Sequence, residues 1–157
     1  MQAPPPVPNL LFRLETFAAN VKAILSEQEA VQWEKRPSPD QWSLTEIMCH
    51  LRDVEREVYH VRFRNLIAAE NAFLPGASPD EWAEERGYAQ QDGREALQTF
   101  LEARKETLEL LRSMSAETWQ RQGQHAFFGP TTLHELVYLS VRHDDLHWEQ
   151  IRSLLVD

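Results

Sequence analysis

Four stretches of this chain place apolar residues at steps of three and four, and each opens on a residue that caps helices. Amphipathic helices bury their apolar stripes only by packing them together, so this punctuation narrows the fold before composition is considered. Asn9 is positioned to cap the first helix, which runs to about Ser26 with Leu10, Leu14, Phe17, Val21, Ile24 and Leu25 on one side. The second opens on a capping box, Ser43 with Glu46, and Trp42 with Ile47 makes a hydrophobic staple across it. Its stripe runs Leu44, Ile47, Met48, Leu51, Val54, Val58, and the pattern continues to about Ala69. Asp92 and Glu95 open the third, with Leu97, Leu101, Leu108 and Leu111. Thr132 and Glu135 open the fourth, which reaches about Leu154.

The connections carry the opposite signals. Pro37 and Pro39 force an extended path before the second helix, and Gly129-Pro130 breaks the chain before the fourth. A long link, Phe73 to Gln91, joins helices two and three, and Ser78-Pro79-Asp80-Glu81 within it has the form of a helical turn with proline at its first position. No internal repeat and no spaced set of strand-like runs is present. The expectation is an all-α fold, a four-helix bundle with a long crossover connection between helices two and three. Residues 1–8 form an extended proline-rich arm, and residues 9–157 form a single domain.

Charge removes some function classes. The formal net charge of -9 repels nucleic-acid phosphates and anionic lipid surfaces, and no Lys/Arg cluster offsets it. No apolar run approaches the ~18 residues of a membrane span. MQAPPPVP lacks the basic start and apolar run of a signal peptide, and the lone Cys49 cannot make an intrachain disulfide. A cytoplasmic protein with small-molecule business is expected, without nucleic-acid or membrane partners.

The chemistry concentrates in the histidines. His143 and His147 stand one helical turn apart in RHDDLHWEQ. His147 falls inside the stripe formed by Leu133, Leu136, Val137, Ser140, Ile151 and Leu154, and His143 lies at its edge. That spacing lets two imidazoles share one ion. His50, at the edge of the stripe on helix two, offers a third nitrogen and leaves open positions of the kind catalytic sites keep. Two readings stand: core histidines bonded to carbonyls or acids, or metal ligands. Cys49 projects away and reads as a buried filler. His60 is expected on the solvated outer face of helix two, His134 partly exposed, and His125 in the loop QGQHAFFGP beside two phenylalanines. Asp144 and Glu55 are the candidate catalytic acids. Asp144 is placed either to take the ring N–H of a ligating histidine or to pair with an arginine of helix two.

WSLTEIMCHLRDVE together with GPTTLHELVYLSVRHDDLHWEQI resembles the DinB/YfiT-like family of metal-dependent proteins, and REALQTFLEARKETLELL resembles the family's third helix. The resemblance implies a four-helix bundle, often dimeric, with a divalent metal on His50, His143 and His147. Some relatives transfer low-molecular-weight thiols such as bacillithiol or mycothiol to electrophiles, and one group isomerises maleylpyruvate. It therefore implies a homodimer, zinc, nickel or iron as the ion, and a low-molecular-weight thiol as cosubstrate. The most concrete function is a thiol S-transferase. The alternatives are a metal-dependent hydrolase and a non-catalytic metal-binding or interaction bundle.

Overall fold

The computed structural model describes residues 2–26 and 30–155. The first helix, α1, spans Val7–Ser26 and buries Leu10, Leu14, Phe17, Val21 and Leu25, as its spacing predicts. It begins two residues before Asn9, because the Pro6 carbonyl already accepts the backbone N–H groups of Asn9 and Leu10 at 3.0 and 3.2 Å. Val7 and Pro8 occupy a first turn where no N–H needs an intrahelical partner, so Pro8 fits. The helix therefore takes Val7 and Pro8 out of the proline arm, and His134 Nε2 donates to the Pro5 carbonyl at 2.6 Å and ties down what remains.

Helix α2, Leu44–Val54, opens on the expected capping box of Ser43 and Glu46. It then passes without a break through a π-turn at Glu55–Tyr59 into α3, His60–Ala68. In that turn the His60 backbone N–H reaches the Glu55 carbonyl, one residue further than α-helical bonding. One extra residue rotates everything after it by about 100° relative to the extrapolated stripe. His60 is the casualty of extrapolation. It is 4% exposed rather than on the outer face, and its Nε2 lies 2.7 Å from Thr107 Oγ1 and 3.0 Å from the Ala103 carbonyl.

The crossover holds a two-residue strand β1 (Phe73–Leu74), a 3-10 turn at Pro79–Glu81 with proline at its start, a short α4 (Trp82–Glu85) and a second 3-10 turn at Tyr88–Gln90. Helix α5, Gly93–Arg112, is capped by the Asp92 carboxylate, which accepts from the Arg94 and Glu95 amides. After the one-turn α6 (Ala116–Trp119), strands β2 (Gln122–His125) and β3 (Gly129–Thr132) form a hairpin that runs straight into α7, Leu133–Leu154. The Thr132–Glu135 capping box opens α7 as the sequence predicts.

The small sheet is an addition to the expected all-helical picture. β2 pairs in parallel with β1 and antiparallel with β3, so His125 lies on a strand and not in a loop. Elements of two and four residues are too short to show alternation, and tertiary contact decides them. Gly123 is required there, since a Cβ would lie 2.8 Å from the Ala72 carbonyl of the neighbouring chain segment.

The four long helical rods make the bundle. Helix α1 packs on α5 and α7, α2 packs on α5 and α7, and α3 packs on α7. Two apolar clusters result, one around Phe63, Leu66, Leu136 and Val137 and one around Ile47, Met48, Phe100 and Ile151. Among the described residues no helix is long and apolar enough to cross a membrane.

Candidate metal centre

The contact between α2 and α7 decides whether the histidines meet. The Ser43 cap fixes the start of α2, and His50 follows two turns later, 1% exposed. From α7, His147 is 5% exposed and His143 half-buried. Their Nε2 atoms converge: His50 to His143 at 3.2 Å and His147 to His143 at 3.0 Å. The three ligand atoms all lie within 4.8 Å of one another. Four nitrogens set tetrahedrally at the Zn–N distance would stand about 3.3 Å apart, so two edges of such a set are already close to length.

Ring-to-ring hydrogen bonds do not account for this cluster. Nε2 of His143 carries either one proton or one lone pair, so it cannot make two good bonds to two other ring nitrogens at once. Gln150 Oε1 lies 2.8 Å from His147 Nδ1, which makes Nδ1 the protonated nitrogen and leaves Nε2 with its lone pair facing the others. His50 Nδ1 has no well-formed hydrogen bond, although the Pro79 carbonyl faces the ring and favours its protonated form. Burial drives all three towards the neutral, ligating state. It takes His50 down to about 3 with help from the charge of His147, and His143 down to about 2 with help from His147 and His50. His147 is lowered as well, by burial. Three neutral imidazoles, two buried and one half-buried, with converging nitrogens fit a divalent transition metal.

The candidate acids go elsewhere. Asp144 turns both carboxylate oxygens to Arg104, at 2.8 and 2.9 Å, so the arginine it pairs with comes from α5 and not from helix two. Glu55 meets the same guanidinium at 2.8 and 3.0 Å and accepts from Thr107 at 2.7 Å. Arg104 completes its set on the Leu14 carbonyl at 3.0 Å, which uses all five of its N–H donors. Burial pushes the Asp144 carboxyl up to about 7 against the pull of Arg104. Burial pushes Glu55 up too, but the Arg104 charge and hydrogen bonds outweigh it and hold Glu55 below the usual carboxylate range. Both acids are thus structural partners of one arginine that ties α5 to α1, the π-turn and α7.

Other residues border the centre that sequence spacing did not single out. The Trp42 ring lies 4.9 Å from His50 and the Tyr59 ring 5.9 Å from His143, edge-on. Exposed Asp80 reaches His147 electrostatically and favours its protonated form. Trp42 and Asp80 also line a cleft of about 810 Å³, together with Asp40, Glu46, Glu81, Glu84 and Glu85 and a single arginine, Arg36. The histidines themselves do not line it, so the cleft borders the centre at Trp42 and Asp80 and is not its chamber. Its carboxylates favour cations on that side. Of these residues only Gln150 left a local trace, three positions after His147. Cys49 stays outside the cluster, fully buried, its thiol pushed up to about 11 by burial. That makes it an inert filler.

The comparisons with known proteins agree with the fold. The DinB superfamily model matches residues 13–151. Among solved structures, YfiT from Bacillus subtilis superposes with a TM-score of 0.81 at 21% identity, covering 94% of this chain and 84% of that one. That protein is described as "a probable metal-dependent hydrolase with an unusual four-helix bundle topology". No curated protein matches this chain by sequence.

Proposed function

The chain belongs to the DinB superfamily, and from that premise we propose that it is a metal-dependent enzyme that transfers a small thiol to a small electrophile. The observation that carries the reading is the convergence of three neutral ring nitrogens from two helices, at 3.0 and 3.2 Å, with no fourth protein group beside them among the described residues. His50, His143 and His147 would hold the ion, and Gln150 keeps the His147 proton on the far nitrogen. A divalent ion on three imidazoles supplies positive charge that lowers the pKa of a thiol or a water beside it.

The acids favour the thiol. Glu55 and Asp144 both give their two oxygens to Arg104, so neither is placed at the ring nitrogens as a base. A thiol needs less help than water, since its ordinary pKa is about 8.5 against 15.7 for water. In the transfer, a sulfur–carbon bond forms, the electrophile's leaving group departs with its electron pair, and the thiol proton goes to solvent. One observation favours a second reading. Asp80, on the cleft side of His147, is an exposed carboxylate able to serve water as a base, and the YfiT relative is described as a hydrolase.

The test is an assay of zinc-, nickel- and iron-loaded protein with a panel of thiols and an aryl chloride. Thiol-dependent adduct that disappears on metal removal is the expected result. Ester hydrolysis without thiol selects the second reading, and neither activity leaves a non-catalytic metal-binding bundle.

Metal affinity should fall by less than about tenfold between pH 7.5 and 5.5, measured by competition with a chromophoric chelator, since His147 too is lowered from its ordinary value. Protons compete with the ion only below the folded-state pKa of each ligand, and burial has lowered those of His50 and His143 to about 3 and 2. Three solvent-exposed histidines would each lose about tenfold over the same interval, about a thousandfold together. Asp144 titrates within the window, and the loss of its negative charge beside the site accounts for no more than about threefold. A steep fall would mean that the ligands are not buried as described.

A further inference from the structure

We propose that Arg62 and His125, on the sheet side of the bundle, form a binding site for a carboxylate. Arg62 on α3 is 9% exposed, and its Nε donates to the Pro75 carbonyl at 2.9 Å. Its terminal nitrogens have no partner among the described residues, and no carboxylate pairs with it there. Arg104, the other deeply buried arginine, spends every donor on a named acceptor. Arg62 does not.

His125 on β2 shows the complementary vacancy. It is 4% exposed, and its Nδ1 accepts the backbone N–H groups of Phe127 at 3.1 Å and Phe128 at 3.4 Å. A ring nitrogen that accepts carries no proton, so in the neutral ring the proton sits on Nε2. That Nε2 is buried and has no partner. Burial and then the Arg62 charge lower the His125 pKa, so the ring is neutral and within reach of the Arg62 charge. Leu74 pairs with His125 across the parallel strands, and Pro75, which holds Arg62, follows directly. What the structure gathers here is a guanidinium end and an N–H, all donors. The missing partner is an acceptor, and a negative one.

With Nε engaged, the two terminal nitrogens of Arg62 present the fork that matches the two oxygens of a carboxylate. The surroundings suit an acid with an apolar body. The Phe128 and Phe127 rings lie 4.8 and 5.8 Å from His125, and Phe73, Phe127 and Phe128 are all more than half exposed. Phe127 covers the backbone at Gly76, where a Cβ would come within 2.7 Å of its ring. Tyr59, three residues before Arg62 at the end of the π-turn, meets His143 edge-on. The site stands without a metal, and only its use as the anchor of a substrate that reacts at the three histidines rests on the proposed function.

The experiment titrates the ¹⁵N-labelled full chain with benzoate, acetate and inorganic phosphate while following the His125 Nε2 resonance. A saturable shift is expected, tightest for benzoate and weakest for phosphate. Arg62→Gln should weaken benzoate by about tenfold or more, and Arg64→Gln, on an exposed arginine, should not. If Arg62→Gln does not fold, Arg62→Lys, which keeps the charge and loses the fork, should still weaken binding severalfold. No saturable shift, or the same shift in the Arg62 variants, means that water satisfies these donors and overturns the site. A preference for phosphate overturns the carboxylate assignment. The titration is repeated after chelation: binding that persists supports the site whatever becomes of the metal reading, and binding that vanishes puts the anion on the metal and overturns it.

Discussion

His147→Ala should strip the protein of its metal, from near one ion per chain to background, and leave the helices intact. Both short nitrogen contacts involve His143, but His147 is the histidine whose proton is fixed by a partner, Gln150. Removing it leaves His50 and His143, one from each helix, without the one-turn pair that can chelate an ion. The fold does not depend on the ring, since Leu133, Leu136, Val137, Val141 and Ile151 keep the apolar side of α7 buried. Elemental mass spectrometry beside far-UV circular dichroism reads both halves of the result. His134→Ala and His60→Ala should keep the ion. His60→Ala should also destabilise the protein by about 1–3 kcal/mol, because it leaves Thr107 in a buried network without one of its partners. A folded His147→Ala protein with full metal content would make the three histidines core residues.

Arg104→Met should cost about 3–5 kcal/mol of stability, a fifth or more of what a domain this size commonly has. The guanidinium is 2% exposed, stands over the Phe100 ring at 5.0 Å, and neutralises two carboxylates that are themselves 3% exposed. Burial opposes its charge, but Asp144 and Glu55 outweigh that and hold Arg104 firmly protonated. Without it, two carboxyl groups remain buried with Thr107 as the sole donor to one of them. Urea unfolding followed by tryptophan fluorescence gives the measurement, with the midpoint falling and the slope unchanged. The triple replacement Arg104→Met, Glu55→Gln, Asp144→Leu should recover a large part of the loss, because an apolar substitute for a whole buried ion set is often neutral. A loss below about 1 kcal/mol for Arg104→Met would mean that water reaches the cluster.

The sequence made legible whatever is encoded within one turn of helix. The Ser43 and Thr132 capping boxes start α2 and α7 where the pattern puts them, and from those starts His50, His143 and His147 are carried to one place. Long-range features left no comparable trace. The π-turn at Glu55–Tyr59 has no composition of its own, so the outward placement of His60 followed from a phase that the helix does not keep. The arginine that binds Asp144 lies 40 residues away on α5, and nothing in a single helix distinguishes it from solvated arginines. β1 and β2 are joined by bonds between segments about fifty residues apart, so His125 read as a loop residue. The unpaired donors of Arg62 and His125 become visible only when each neighbour can be inspected for an acceptor.

The π-turn also makes the rod from Leu44 to Ala68 unequally tolerant of changes in its length. Upstream of the turn, side chains are counted in one frame, which serves His50; downstream, Tyr59, His60, Arg62 and Phe63 are counted in another. Losing one residue between Glu55 and Tyr59 would restore a plain α-helix and leave the downstream set facing as it does, because the widened turn is what absorbs that residue. Gaining one there, with no second bulge to absorb it, would turn the set by about 100°: Arg62 would leave the sheet and His60 would leave Thr107, while His50 stayed where it is. A chain one residue shorter in this segment should therefore keep both halves of the rod at work, and a chain one residue longer should not.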